Sequence, residues 1–219
     1  MMNKNKWIRS LEYKLGRFSV QNLMAVIVGT MALVYVLDYI FLTRIETALS
    51  WYLEFDRAAI LSGEVWRVLT FALLPPESSL IFIIFSLYFY WMIGSTLEAE
   101  WGAFRFNLFY LCGIIGTVIG GFIVGYATNF YLNMSLFFAF ALLYPEFELM
   151  LFFVIPVKIK YLAFADLVLF LISILVLPWS YKIAAVVSLC NVAIFFWDDF
   201  IGEIKRLVRN HEMKKRFKR

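Results

Sequence analysis

The sequence predicts an all-α membrane protein, a six-transmembrane-helix bundle with an interfacial first external loop. Of its 219 residues, 63% are hydrophobic and 16% are charged. With a mean hydropathy of +0.81, such a chain lacks the polar side chains to keep a soluble surface wet. The apolar residues fall in runs approaching the roughly 20 residues that a helix needs to cross a hydrocarbon core. The basic residues gather in alternate connections, as expected when positive loops stay on the cytoplasmic side.

Six runs qualify as spans: Asn22 to Leu42, Ser79 to Thr96, Phe104 to Gly125, Phe130 to Tyr144, Tyr161 to Leu177 and Tyr181 to Phe200. The fourth is short, which points to a helix enclosed by protein, because a lipid-facing helix of that length leaves hydrophobic mismatch. The first is too long for a signal-peptide core and has no small-residue cleavage site after it, so it is expected to be retained. Residues 1–21 form a basic cytoplasmic segment, 22–203 the helical domain and 204–219 a basic cytoplasmic tail.

Six spans put Lys4, Lys6, Arg9, Lys14, Arg17, Arg105, Lys158, Lys160 and the eight cations after the last span on one side. Arg44, Arg57, Arg67 and Lys182 fall on the other. Both termini are therefore expected in the cytoplasm, and a retained first span fits a bacterial inner membrane. The net charge of +4 reads as a topology signal and gives no reason to expect a nucleic-acid partner. Membrane lipids are expected ones, and the tail "EIKRLVRNHEMKKRFKR" has the mixture of apolar residues and cations that lies on an anionic leaflet or simply sets orientation. Oligomeric state is not legible.

Between the first two spans, "ALSWYLEFDRAAIL" alternates apolar and charged residues around Trp51 and Tyr52, as an interfacial segment does. "GEVWRVLTFALLPP" follows, and "GSTLEAEWGAFRF" closes the second span. In an interfacial loop, Trp66 can sit at headgroup level while the Arg67 guanidinium reaches phosphate or carbonyl oxygens, fixing the loop at one depth. Glu98, four residues from both Gly94 and Gly102, can accept hydrogen bonds from backbone donors where glycine permits close approach. In the third span, Gly116 with Gly120 and Gly121 with Gly125 give small-residue spacings for helix packing. No strand-to-helix turn surrounds them, so they do not read as a phosphate loop.

These stretches resemble the rhomboid superfamily of six-helix intramembrane proteins. The Glu-x-Trp-Arg stretch of that family's first loop is matched by Glu64, Trp66 and Arg67. Its Gly-x-x-x-Glu-x-x-x-Gly pattern at the end of the second span is matched by Gly94, Glu98 and Gly102. "YLCGIIG" and "IPVKIKYLA" also look like family sequence, and the likeness runs from about Asn22 to Lys205.

Active rhomboids are serine proteases that pair a serine in Gly-x-Ser-Gly on the fourth span with a histidine on the sixth, helped by His and Asn on the second. Hydrolysis needs a base, oxyanion donors and water. Here the single histidine, His211, lies in the cytoplasmic tail. The positions corresponding to the second-span His and Asn hold Phe82 and Ser86. Asn133, Met134, Ser135 and Leu136 stand where Gly-x-Ser-Gly would be; registering on Tyr144 and Pro145 instead moves the nucleophile position to Phe130. Phe130, Phe137, Phe138 and Phe140 leave little room for water.

Ser135 reads best as a packing residue, its hydroxyl bonded to the carbonyl a turn earlier and its face, with Ala139, set against Ala184, Ala185 and Ser188. A Ser135–Lys182 dyad is the alternative, with a desolvated amine as base, although Trp179 and Tyr181 beside Lys182 suit a hydrated interface. Asp38 and Asp166 fall inside apolar runs at different depths, an arrangement that disfavours a carboxylate pair; Arg105 or a hydroxyl is the candidate partner for Asp166. Asp198 and Asp199 end the last span. Cys112 and Cys190 have no metal or redox spacing, and no metal cluster or cofactor is expected. Resemblance to inactive rhomboid relatives implies a pseudoprotease that binds transmembrane clients and influences their stability, folding or trafficking.

Overall fold

The computed structural model describes residues 6–76, 79–151 and 155–176, together with Lys182, Val186, Cys190, Asn191, Val192, Ala193 and Phe195, which are all helical. The expected packing residues Ala184, Ala185 and Ser188, the aromatic pair Trp179 and Tyr181, Asp198, Asp199, His211 and the 204–219 tail lie outside the described residues.

The order is α1 (Lys6–Leu15), α2 (Leu23–Ile45), α3 (Ser50–Leu53), β1 (Phe55–Asp56), α4 (Arg57–Leu61), α5 (Arg67–Thr70), α6 (Leu80–Trp101), α7 (Ala103–Val124), β2 (Tyr126–Ala127), α8 (Phe130–Leu143), β3 (Glu148–Leu151), β4 (Ile155–Lys158) and α9 (Ile159–Val176). Among the described residues, three helices are long and apolar enough to cross a membrane: Leu23–Arg44, Leu80–Trp101 and Ala103–Val124. These are features of a membrane protein. The structure is mostly helical, and its helices agree with the first five sequence runs to within a few residues.

Burial along α2 explains what surrounds it. Met24, Ile27, Met31 and Val34 are buried at helical spacing, whereas Val26, Leu33, Val36, Tyr39 and Ile40 are exposed. One stripe of three-to-four spacing faces the protein, and the outward face is equally apolar. Water penalises that arrangement and hydrocarbon does not.

α6 touches α2, α7 and α8, and α8 touches α6, α7 and α9. At 14 residues, α8 is about 21 Å long. Its residues Leu132, Asn133 and Ser135 to Ala141 are buried, as expected for a short span sheltered by neighbours. Aromatic contacts tie the last helical residues to this core, with Phe195 and Phe109 meeting edge to face at 5.1 Å.

Gly102 is at once the end of α6 and the start of α7, with φ 84° and ψ 154°. That backbone state is open almost only to glycine, so the chain reverses across one residue. On the other side of the bundle, β1 pairs with β2, Phe55 opposite Ala127 and Asp56 opposite Tyr126. This ties the segment after α2 to the turn after α7. β3 and β4 form a hairpin before α9, an element that the sequence reading left as a connection.

Gly94 sets how closely α2 and α6 approach. A methyl group there would collide with the Met24 side chain, which is fully buried. Gly94→Ala should therefore lower stability by about 1–3 kcal/mol through overpacking. Met24→Ala in the same chain should relieve that clash, so that the double variant is less destabilised than the two single changes added together. Thermal unfolding in detergent micelles measures both.

The hairpin base carries a second testable feature. Glu146 accepts from Lys158 at 2.8 Å and also from Lys160. Hydrogen bonds from these two ammonium groups lower its carboxyl pKa to about 2. A depressed carboxylate pKa stabilises the folded arrangement above the unfolded value of 4.5, and this contribution is lost as pH falls through about 2. Hydrogen exchange of the hairpin amides should show protection declining across that window, and Glu146→Gln should abolish the decline.

Candidate functional site

Ser135 sits in the second turn of α8 and is 1% exposed. Its hydroxyl donates to the Leu132 carbonyl at 2.7 Å. The same oxygen accepts from Asn191 Nδ2 at 3.3 Å, and that amide also donates to the Phe109 carbonyl at 3.4 Å. The serine proton is thus held by a backbone oxygen, and the neighbouring amide has no basic lone pair with which to remove it. Sequence reasoning anticipated the bond to a carbonyl one turn earlier and missed Asn191. An asparagine within an apolar run was the available signal.

Lys182 has interactions of its own and is not among the hydrogen-bond partners of Ser135. The oxyanion positions also diverge. Phe82 is an exposed apolar side chain, while Ser86 lines a cavity with Asn133 and Asp166 that Ser135 does not line. Phe137, Phe138 and Phe140 are buried around α8, whereas Phe130 at its first turn is exposed. The structure therefore brings Ser86 and Asn133 together and leaves the serine apart from both.

The segment between α2 and α6 is organised by Arg67, which is 5% exposed. Its Nε donates to Glu64 at 2.6 Å, and its Nη1 donates to the carbonyls of Trp51 at 2.7 Å and Glu54 at 3.0 Å. The oxygens it reaches are those of its own protein, so it holds α3 and α5 together from within. Trp66 is half exposed, and its indole N–H donates to the Tyr52 carbonyl at 3.1 Å. Thr70 adds a bond to Leu53 O at 2.8 Å. The Asp38 carboxylate accepts from the Ser50 backbone N–H at 2.7 Å, anchoring α2 to the start of α3. Asp38 and Asp166 line different cavities.

Glu98 has a specific partner. Its Oε1 accepts from the Asn22 N–H at 2.6 Å, at the residue that precedes α2. A helix start has unpaired N–H groups and partial positive charge, so this carboxylate secures the first span. One turn earlier, Gly94 admits Met24; one turn later, Gly102 reverses the chain. The spacing Gly94, Glu98 and Gly102 thus has a physical account as a docking device for α2.

Arg105 pairs with Glu12 at 3.3 Å, not with Asp166. In α7, Gly120 and Gly121 are buried, and a methyl group on Gly121 would meet Phe55 and Ala127. Gly116 is half-buried. Gly125 caps the helix at φ 108°. Gly113, outside the spacings picked from the sequence, lies against Leu132 and Asn191. Cys112 and Cys190 are free thiols. Among the described residues, no cluster of three or more His, Cys, Asp or Glu could hold a metal ion.

No protein-family model matches the chain, and no curated protein matches it.

The Arg67 arrangement predicts an asymmetric response to substitution. Arg67→Lys keeps the charge but cannot reproduce three bonds from one planar fork, and should cost about 2–3 kcal/mol. Trp66→Phe, which removes one exposed bond, should cost less than about 1 kcal/mol. Denaturant-induced unfolding in mixed micelles separates the two.

Proposed function

We propose that the chain is a six-span, rhomboid-like membrane protein without a protease site, and that it acts by binding the transmembrane segments of other membrane proteins. Its effect would fall on the stability, folding or trafficking of those clients. The observation that carries the inactive reading is the state of Ser135: a buried hydroxyl with its proton on Leu132 O and its oxygen accepting from Asn191. Acyl transfer requires a proton acceptor beside the nucleophile and donors aimed at the developing oxyanion. Neither requirement is met by the groups bonded to this serine.

Six spans would comprise α2, α6, α7, α8, α9 and a last span from the apolar run Tyr181 to Phe200. In that arrangement both termini face the cytoplasm, and a bacterial inner membrane is the proposed location. Client recognition is assigned to the side of the bundle formed by α6 and α9. Ile84 and Trp91 on α6 and Phe164 and Leu169 on α9 are exposed apolar side chains. In hydrocarbon these offer no hydrophobic driving force, so a client would be held by packing and a few polar contacts. Membrane lipids would cover the same surface in its absence.

Two measurements made together test the proposal. The purified protein should neither label with a serine-reactive fluorophosphonate nor cleave a helix-bearing substrate. In native membranes, a photo-crosslinker at Ile84 or Phe164 should capture transmembrane partners, one at Leu33 of α2 should not, and Ser135→Ala should leave capture unchanged. Labelling or cleavage abolished by Ser135→Ala or Lys182→Ala would establish a protease instead.

A further inference from the structure

Asn133 and Ser135 are two residues apart on one helix, hence roughly 200° apart around its axis. Ser135 donates to the Leu132 carbonyl and accepts from Asn191, whereas Asn133 lines a cavity of about 270 Å³ with residues of α6 and α9. Asn133 is 3% exposed, yet neither its Oδ1 nor its Nδ2 has a hydrogen-bond partner. A buried amide left so costs about 1–3 kcal/mol for each unpaired group, and hydrocarbon offers no replacement. The same cavity is lined by the Ser86 hydroxyl and the Asp166 carboxylate. Asp166 is half-buried and makes no ion pair or hydrogen bond among the described residues. Phe85, Phe89 and Phe137 supply the aromatic wall.

We propose that this cavity is a binding site for a small amphipathic amine, with its ammonium at Asp166 and Asn133 and its apolar body among Phe85, Phe89 and Phe137. Among the described residues, the one formal charge on the wall is the carboxylate of Asp166, so the wall selects a cation. Aromatic faces favour an ammonium electrostatically and shelter an apolar body. Asn133 Oδ1 accepts an N–H of the ammonium, while its Nδ2 is positioned to donate to an oxygen on the ligand or to a co-bound water. Volume agrees with this class: an apolar cavity of about 150 Å³ admits benzene, so 270 Å³ accommodates a ring with a short aminoalkyl arm. The proposal does not rest on client binding and stands or falls separately from it.

The test is calorimetric titration of the full-length protein in lipid nanodiscs with phenethylamine and hexylamine, using empty nanodiscs to subtract partitioning. Saturable binding is expected for at least one amine. Its affinity should fall at least tenfold in Asp166→Asn and at least fivefold in Asn133→Leu, and the neutral analogue 2-phenylethanol should bind at least tenfold more weakly than phenethylamine. Ser86→Trp, which fills the cavity from α6 without touching Asp166, should abolish saturation. Thermal unfolding of each variant checks that it remains folded. Binding that never saturates, or that is equal in wild type, Asp166→Asn and Asn133→Leu, overturns the assignment and leaves the cavity as a water site.

Discussion

The controlling constraint in this molecule is that a polar group carried into an apolar bundle must find its partner inside the protein. The Ser135 hydroxyl and the Asn191 amide nitrogen obey it jointly. The hydroxyl satisfies the Leu132 carbonyl, and the amide satisfies both the hydroxyl and the Phe109 carbonyl. Three elements converge on that point: α7, α8 and the helical residues around Asn191. The same bonds that lock the helices together occupy the atoms a hydrolase would need free. Structural and chemical readings of Ser135 therefore compete for the same lone pairs, and packing has them.

Around this centre the fold uses small residues for proximity and charged ones for anchoring. Gly113 brings α7 against Leu132 and Asn191, and Gly94 brings α6 against Met24. Glu98 secures the start of α2, while Arg67 gathers carbonyls of the segment between α2 and α6. These two charged groups sit near helix ends and answer backbone atoms that helices cannot satisfy for themselves. Asn133 departs from the rule of internal pairing with both of its amide atoms, whereas Asn191, Asn107 and Tyr110 each leave one polar atom without a hydrogen-bond partner among the described residues. Of these, Asn133 is the one that lines a cavity together with a carboxylate, and such a violation is where a ligand is to be sought.

Most helix boundaries were legible because hydrophobic run length and glycine placement act locally. α7 ends at Val124 with Gly125 as its cap, and α8 begins at Phe130, within a residue of the run boundaries. The serine-to-carbonyl bond was also legible, since it spans one turn. What escaped was nonlocal. Nothing near Asn22 announces that Glu98, 76 residues away, meets its N–H. The four-residue glycine spacing marked Gly116, Gly120, Gly121 and Gly125 but not Gly113, because only the position of a second helix decides which glycine is in contact. The sequence points the Arg67 guanidinium at phosphate or carbonyl oxygens, and only the folded chain shows that the carbonyls are those of Trp51 and Glu54. The opposite facing of Asn133 and Ser135 follows from helical geometry, but their different partners required the folded chain.

The central claim is that the Ser135 oxygen is dry and already engaged. Its most direct test replaces Ser135 with cysteine in a chain whose Cys112 and Cys190 are alanine, and measures reaction with a membrane-impermeant maleimide in sealed vesicles and after detergent permeabilisation. Thiol alkylation requires water access and thiolate formation. The account predicts negligible modification from either side while a control cysteine at exposed Leu61 reacts readily. Rapid modification of the cysteine at 135 in folded protein would contradict it, because it would reveal a hydrated pocket where the structure has packed side chains.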